Sequence, residues 1–186
     1  MNPKEQLRKQ MRQLMREQCV DKNERPVAVT NWLSSIPHAS TIASYAALPG
    51  EVDLAELPDL YPQHRWVYPR VLADGLQFHV VSNPRKDLLQ GAFGICEPQP
   101  ELPRVEIAEI DIFLCPGIAF DIHGGRIGRG KGYYDRALAK SRSDAIKIGI
   151  AFASQQVADA CHEDHDIPMD RVIFVPIASI KSRSNR

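Results

Sequence analysis

The stretch Ile110-Asp-Ile-Phe-Leu-Cys-Pro-Gly-Ile-Ala-Phe-Asp-Ile-His-Gly-Gly-Arg-Ile-Gly-Arg-Gly-Lys-Gly-Tyr-Tyr-Asp135 decides how this chain reads. Residues 110–115 form a short apolar run, as expected of a strand covered on both faces. Residues 133–140 read as a helix. The loop between them leaves the carboxyl end of the strand, where open α/β sheets place their ligands. Gly128, Gly130 and Gly132 alternate with Arg129 and Lys131, and Arg126 stands just before them. Glycine accepts the backbone angles that turn successive N–H groups toward one anion. The following helix start adds unpaired N–H groups. The segment therefore predicts a polyphosphate cradle. It is not a Walker A loop, because Gly132 and Tyr133 follow Lys131 where Ser or Thr is required, and it is not G-x-G-x-x-G. The plainer reading is a solvated turn with incidental charges. A plain turn, however, has no need of three interleaved cations.

Outward from this segment, short apolar runs alternate with helical patterns. Leu7, Met11, Leu14 and Gln18, widened by Met15, give the first segment an apolar helical face. Lys4, Arg8, Arg12 and Arg16 repeat beside it. A second helix is expected to start near 23–26, with Pro26 in its first turn and Val27, Trp32 and Leu33 inward. Strands are expected at 42–47, 65–68, 76–81, 146–152 and 172–175. Helices are expected at 54–61, weakened by Pro58, and at 155–161. Residues 82–106, rich in Pro and Gly, read as a long loop. The pattern predicts an α/β fold: a single domain over 1–180, with a mainly parallel central sheet flanked by helices on both faces. Residues 181–186 form a polar tail.

Composition narrows the function. The 186 residues carry 23 basic and 23 acidic side chains, without the basic surplus of a nucleic-acid binder. Cys19, Cys96, Cys115 and Cys161 are scattered and form no C-x-x-C pair, which argues for free thiols in a reducing compartment rather than a zinc site. No run approaches the ~20 apolar residues of a membrane span, and the N-terminal stretch has neither signal nor transit character. A cytoplasmic monomer acting on small molecules is expected, with no nucleic-acid or membrane partner. His162 and His165, among Glu163, Asp164 and Asp166, have the look of a transition-metal site but lack an evident further ligand. The run reads rather as a polar loop after a helix.

Residues 116–121, Pro-Gly-Ile-Ala-Phe-Asp, followed by residues 126–135, Arg-Ile-Gly-Arg-Gly-Lys-Gly-Tyr-Tyr-Asp, resemble the signature of the 5-formyltetrahydrofolate cyclo-ligase family. Shorter echoes lie at 4–8, 48–53, 93–98 and 165–170, in the family's order. The resemblance implies that ATP phosphorylates the formyl oxygen of 5-formyltetrahydrofolate. The neighbouring aniline nitrogen then closes the ring, giving 5,10-methenyltetrahydrofolate, ADP and phosphate, with Mg²⁺ assisting. It implies ATP contacts from Lys4, Arg8, Arg126, Gly128, Arg129, Gly130, Lys131, Gly132, Tyr133 and Tyr134, with Arg126 and Lys131 catalytic. It implies folate contacts from Leu48, Glu51, Asp53, Phe93 and Tyr133, and magnesium ligands Asp135 and Asp170. Such cations suit phosphoryl transfer, which depends on positioning and on neutralising charge over the transferring oxygens. Each residue also has a plainer role: Lys4 and Arg8 as a basic helix face, Asp135 as a dipole partner, Asp53 as a turn cap, Asp170 as a loop cap, Phe93 as a loop anchor. Two rival readings are a sugar-phosphate isomerase and a non-catalytic nucleotide or anion sensor.

Overall fold

The computed structural model describes residues 2–17, 26–91, 94–163 and 165–177. Helix α1 (Pro3–Glu17) forms where apolar residues recur every fourth position. Met11 and Met15 are buried, whereas Leu14, expected on the same face, is exposed. Gln18 and the tail at 181–186 lie outside the described residues. Helix α2 (Val27–Leu33) buries Val29 and Leu33. Val27, expected inward, points to solvent.

The central sheet has seven strands: β1 (Thr41–Ala43), β2 (Arg65–Val71), β3 (Leu76–Val80), β6 (Arg104–Val105), β7 (Ile112–Cys115), β10 (Ile146–Phe152) and β11 (Arg171–Val175). Their order is β11-β10-β7-β1-β2-β3-β6. From β11 to β2 every pairing is parallel, with Ile42 opposite Ile112 and Leu114 opposite Ile148. β2, β3 and β6 pair antiparallel. The β2–β3 hairpin closes through the Leu72 N–H on the Gly75 carbonyl, and Asp74-Gly75 is a sequence suited to such a turn. Alternation divides β7 between two cores. Ile112 and Leu114 join Val29, Leu33 and Ile150 on one face; Phe113 and Cys115 join Val67, Phe78 and Leu138 on the other. The expectation of a mainly parallel sheet covered on both faces holds. No helix among the described residues is long and apolar enough to cross a membrane.

Four elements differ from expectation. The strand expected over 42–47 stops at Ala43. The helix expected over 54–61 is α3 (Leu57–Leu60), one turn opened by Pro58. The long loop at 82–106 contains α4 (Pro84–Asp87), capped by the Asn83 side chain on the Arg85 N–H, then β4 (Leu88–Gln90) paired with β5 (Cys96–Pro98), then β6. The helix expected over 155–161 is absent. One 3₁₀ turn, Ala153–Gln155, gives way to extended chain. Its N–H groups are taken by distant partners: Val157 donates to the Phe120 carbonyl and Ala160 to the Asp121 carboxylate. A backbone group has one strong donor, and here tertiary acceptors outcompete the helical ones.

Candidate functional site

A cleft of about 770 Å³ opens at the carboxyl edge of β7 and β1. Its walls come from α1, the loop at 45–51, the start of β5, the glycine loop, α5 (Tyr133–Leu138) and the loop at 163–166. The glycine loop leaves a small hairpin, β8 (Ala119–Phe120) with β9 (Arg126–Ile127). Asp121 builds the turn. Its carboxylate accepts the His123 and Gly125 N–H groups at 2.8 Å and the Ala160 N–H at 3.0 Å. Burial opposes that charge, yet the three N–H groups outweigh it and hold the carboxyl below its usual range. Asp121 thus ties the glycine-loop hairpin to the C-terminal loop.

Beyond the hairpin, Gly130 (φ 96°) and Gly132 (φ 63°) adopt left-handed conformations that side chains disfavour, so the loop's path requires glycine at these two positions. Helix α1 fastens the loop from outside. Arg8 Nε donates to the Gly128 carbonyl at 3.0 Å, and Arg12 donates to the Arg129 carbonyl at 2.9 Å. Arg12, read from sequence as a surface charge, therefore shapes the loop. Helix α5 has six residues, so cation and loop N–H groups weigh more here than a helix dipole.

The cations hold different stations. Arg126 is buried, its side chain 5 % exposed. It donates to Asp135 Oδ1 at 2.8 Å and lies over the Tyr134 ring at 5.5 Å. Its Nε has no partner among the described residues. Lys131 is exposed on the rim of the cleft. Lys4 is buried and donates to Glu163 at 2.8 Å and to Asp166 at 2.5 Å. Burial disfavours its ammonium, but those two carboxylates hold its pKa above the ordinary value. Arg129 donates to Glu51 Oε1 through Nη2 at 2.9 Å and Nε at 3.3 Å, while Glu51 Oε2 accepts the Leu48 N–H at 3.0 Å. Burial pushes the Glu51 carboxyl above its usual range, although Leu48 and Arg129 pull it down.

The cleft thus gathers Lys4, Arg8, Leu48, Glu51, Arg126, Gly128, Arg129, Gly130, Lys131, Gly132, Tyr133, Tyr134 and Asp135. Two expected residues lie outside its lining. Asp53 accepts the Ala55 N–H in a turn, and Asp170 accepts the Lys147 N–H beside β10. The turn chemistry of Asp53 is local, and parallel register sets Asp170 at the amino end of β11, away from the cleft. Phe93 lies outside the described residues. Among the described residues, the acids that the C-terminal loop brings to the cleft are Glu163 and Asp166, together with His165. Their ligand atoms lie within 4.8 Å of one another, and Lys4 sits between the two carboxylates. His162 is exposed and outside this group. Sequence reasoning also missed Tyr45, buried against the cleft with its hydroxyl on the Val52 carbonyl at 2.9 Å. A single tyrosine just beyond a strand end carries no sequence signal of its own.

Fold and cleft together define a class: an α/β protein with a cation-lined cleft at the carboxyl edge of its parallel strands. Comparison with known proteins makes this particular. Residues 1–175 match the 5-formyltetrahydrofolate cyclo-ligase family. The cyclo-ligase of Haemophilus influenzae is 34% identical over 137 residues, 70% of this chain and 73% of that one. The solved structure of Aquifex aeolicus 5,10-methenyltetrahydrofolate synthetase superposes with a TM-score of 0.75 at 31% identity, covering 98% of this chain and 94% of that one. The synthetase of Mycoplasma pneumoniae gives 0.71 at 28% identity, over 92% and 98%. The chain belongs to the 5-formyltetrahydrofolate cyclo-ligase family. It is a ligase of folate one-carbon metabolism, from a family that uses ATP. The isomerase and sensor readings are set aside.

Proposed function

We propose that the cleft binds the ATP phosphates along Arg8, the glycine loop, Arg129 and Lys131, and the folate against Tyr45, Leu48, Glu51 and Tyr133. The formyl oxygen attacks the terminal phosphorus and ADP leaves. The aniline nitrogen adds to the activated formyl carbon and loses its proton. Phosphate then departs with the former formyl oxygen, leaving the methenyl bridge. Lys131 supplies a mobile point charge, and Arg126 offers Nε–H to a transferring oxygen. The observation carrying this reading is one cleft in which a basic, glycine-turned wall faces an aromatic and aliphatic one across Glu51.

Asp135 suits a hard cation. Arg126 takes its Oδ1, and among the described residues Oδ2 accepts no protein hydrogen bond. Asp135 would hold a magnesium ion against the phosphates, where the ion would neutralise their charge. Arg126 fixes the carboxylate for that task. The substrates are small molecules, and the chain works as a cytoplasmic monomer.

The test is Lys131→Met assayed for methenyl product. Its KM for ATP is expected to rise at least about tenfold, with the KM for folate little changed, as loss of a charge-assisted phosphate contact requires. An unchanged KM for ATP would remove Lys131 from the phosphate site.

A further inference from the structure

Glu51 and Arg129 are expected to serve different ligands, yet in the protein they bind each other. Both guanidinium donors converge on Oε1, and the Leu48 N–H occupies Oε2. The Glu51 side chain is 6 % exposed and that of Arg129 is 42 % exposed. One partner is therefore fixed in the wall, and the other sits on a glycine loop with room to swing. For Arg129 to reach a phosphate, or Glu51 to accept an N–H from a pterin, the same contact must open. Opening it for one ligand alone leaves a buried carboxylate without its cation, which is costly. Opening it for both replaces the lost contact on each side.

We infer that the Glu51–Arg129 ion pair is a latch that makes nucleotide and folate binding mutually reinforcing. This rests on the assignment of the phosphates to the glycine loop and of the pterin to Glu51. The first ligand opens the contact, and the second binds without that cost. Linkage requires the reinforcement to be equal in both directions. The latch also keeps Arg129 from a phosphate, and so disfavours a nucleotide-loaded site, until a folate is present to receive an activated phosphoryl group.

The test is titration calorimetry on the whole chain with magnesium and the non-hydrolysable β,γ-imido analogue of ATP, with 5-formyltetrahydrofolate, and with each ligand in the presence of the other. The wild type is expected to bind each ligand roughly fivefold or more tightly when the other is saturating, by the same factor in both directions. Glu51→Gln is expected to bind the ATP analogue alone more tightly than wild type, because Arg129 is released, and to show no reinforcement. Arg129→Met is expected to bind folate alone more tightly than wild type, which gives a second reading should Glu51→Gln fail to fold. A residue serving only as a folate contact would not move the affinity for nucleotide. Two ligands binding the wild type independently would overturn the latch while leaving the site assignment intact. A wild type that binds neither would overturn both.

Discussion

Two loops face each other across the cleft, and they are held by opposite chemistry. The glycine loop at 128–132 is rich in cations and is fastened through its carbonyls, which accept from Arg8 and Arg12 of α1. The loop at 157–166 carries acids and is fastened through carboxylates: Asp121 takes the Ala160 N–H, and Asp166 and Glu163 take Lys4. Helix α1 serves both, gripping one loop with guanidinium groups and the other with an ammonium. The first loop leaves Lys131 exposed at the rim for a ligand, while its Arg129 is held by Glu51. The second spends its charge inside the protein. A charged cluster is therefore most open to a ligand where the fold has not already supplied its counter-charge, and Lys4 against Lys131 shows the two cases.

Breaking the glycine-loop side is expected to have the larger effect on chemistry. Arg126→Met removes a buried donor and leaves Asp135 without the group that orients it. Turnover is expected to fall about 100- to 1000-fold, as for other preorganised donors, measured as methenyl absorbance on protein whose folding is checked by circular dichroism. A fall of less than tenfold would make Arg126 merely structural.

Breaking the tie between the two loops is expected to act mainly on stability. Asp121→Ala removes a charged acceptor from three backbone N–H groups. Urea unfolding is expected to show a loss of about 2–4 kcal/mol, since bonds to charged groups are worth about 1.5–3 each and water recovers part of the loss. The pH dependence has a defined sign. The folded-state values of Asp121 and Asp166 lie below the ordinary 3.8. Each carboxylate therefore stabilises the fold above that pH, and the contribution disappears as pH falls through the depressed folded value. Lys4, raised above 10.5, contributes below that pH and loses its contribution as pH rises through its folded value. Acid unfolding of Asp121→Ala should accordingly be flatter than that of the wild type.

Lys4→Met tests the second loop directly. It leaves Asp166 without its cation, and a stability loss of about 1–2 kcal/mol is expected from a partly exposed site, with Asp166→Asn in the same background costing little more. Smallest of all, Asp170→Asn should change stability by no more than about 0.5 kcal/mol and leave turnover at the wild-type level. A steep loss of turnover there would return Asp170 to the metal site.

The glycine loop was legible because its information is local: alternation of glycine with cations between a strand and a helix survives any tertiary arrangement. The C-terminal loop was not. Residues 155–161 have adequate helical composition, and only the remote Phe120 carbonyl and Asp121 carboxylate divert their N–H groups. Asp166 and Asp170 are equally plausible ligands on paper, and strand register decides between them by setting Asp170 beside Lys147. The antiparallel edge β2–β3–β6 was half legible. Its hairpin has a recognisable turn, but the two-residue β6 has too little pattern to announce itself.

The central claim is that one cleft couples phosphoryl transfer to ring closure. Its most direct test is simultaneous measurement of methenyl-folate absorbance and phosphate release on the purified chain, with 5-formyltetrahydrofolate, ATP and magnesium each omitted in turn. The account predicts that the two products appear at the same rate and that neither appears when any component is missing. Methenyl product formed without ATP, or phosphate released at full rate without folate, would contradict it.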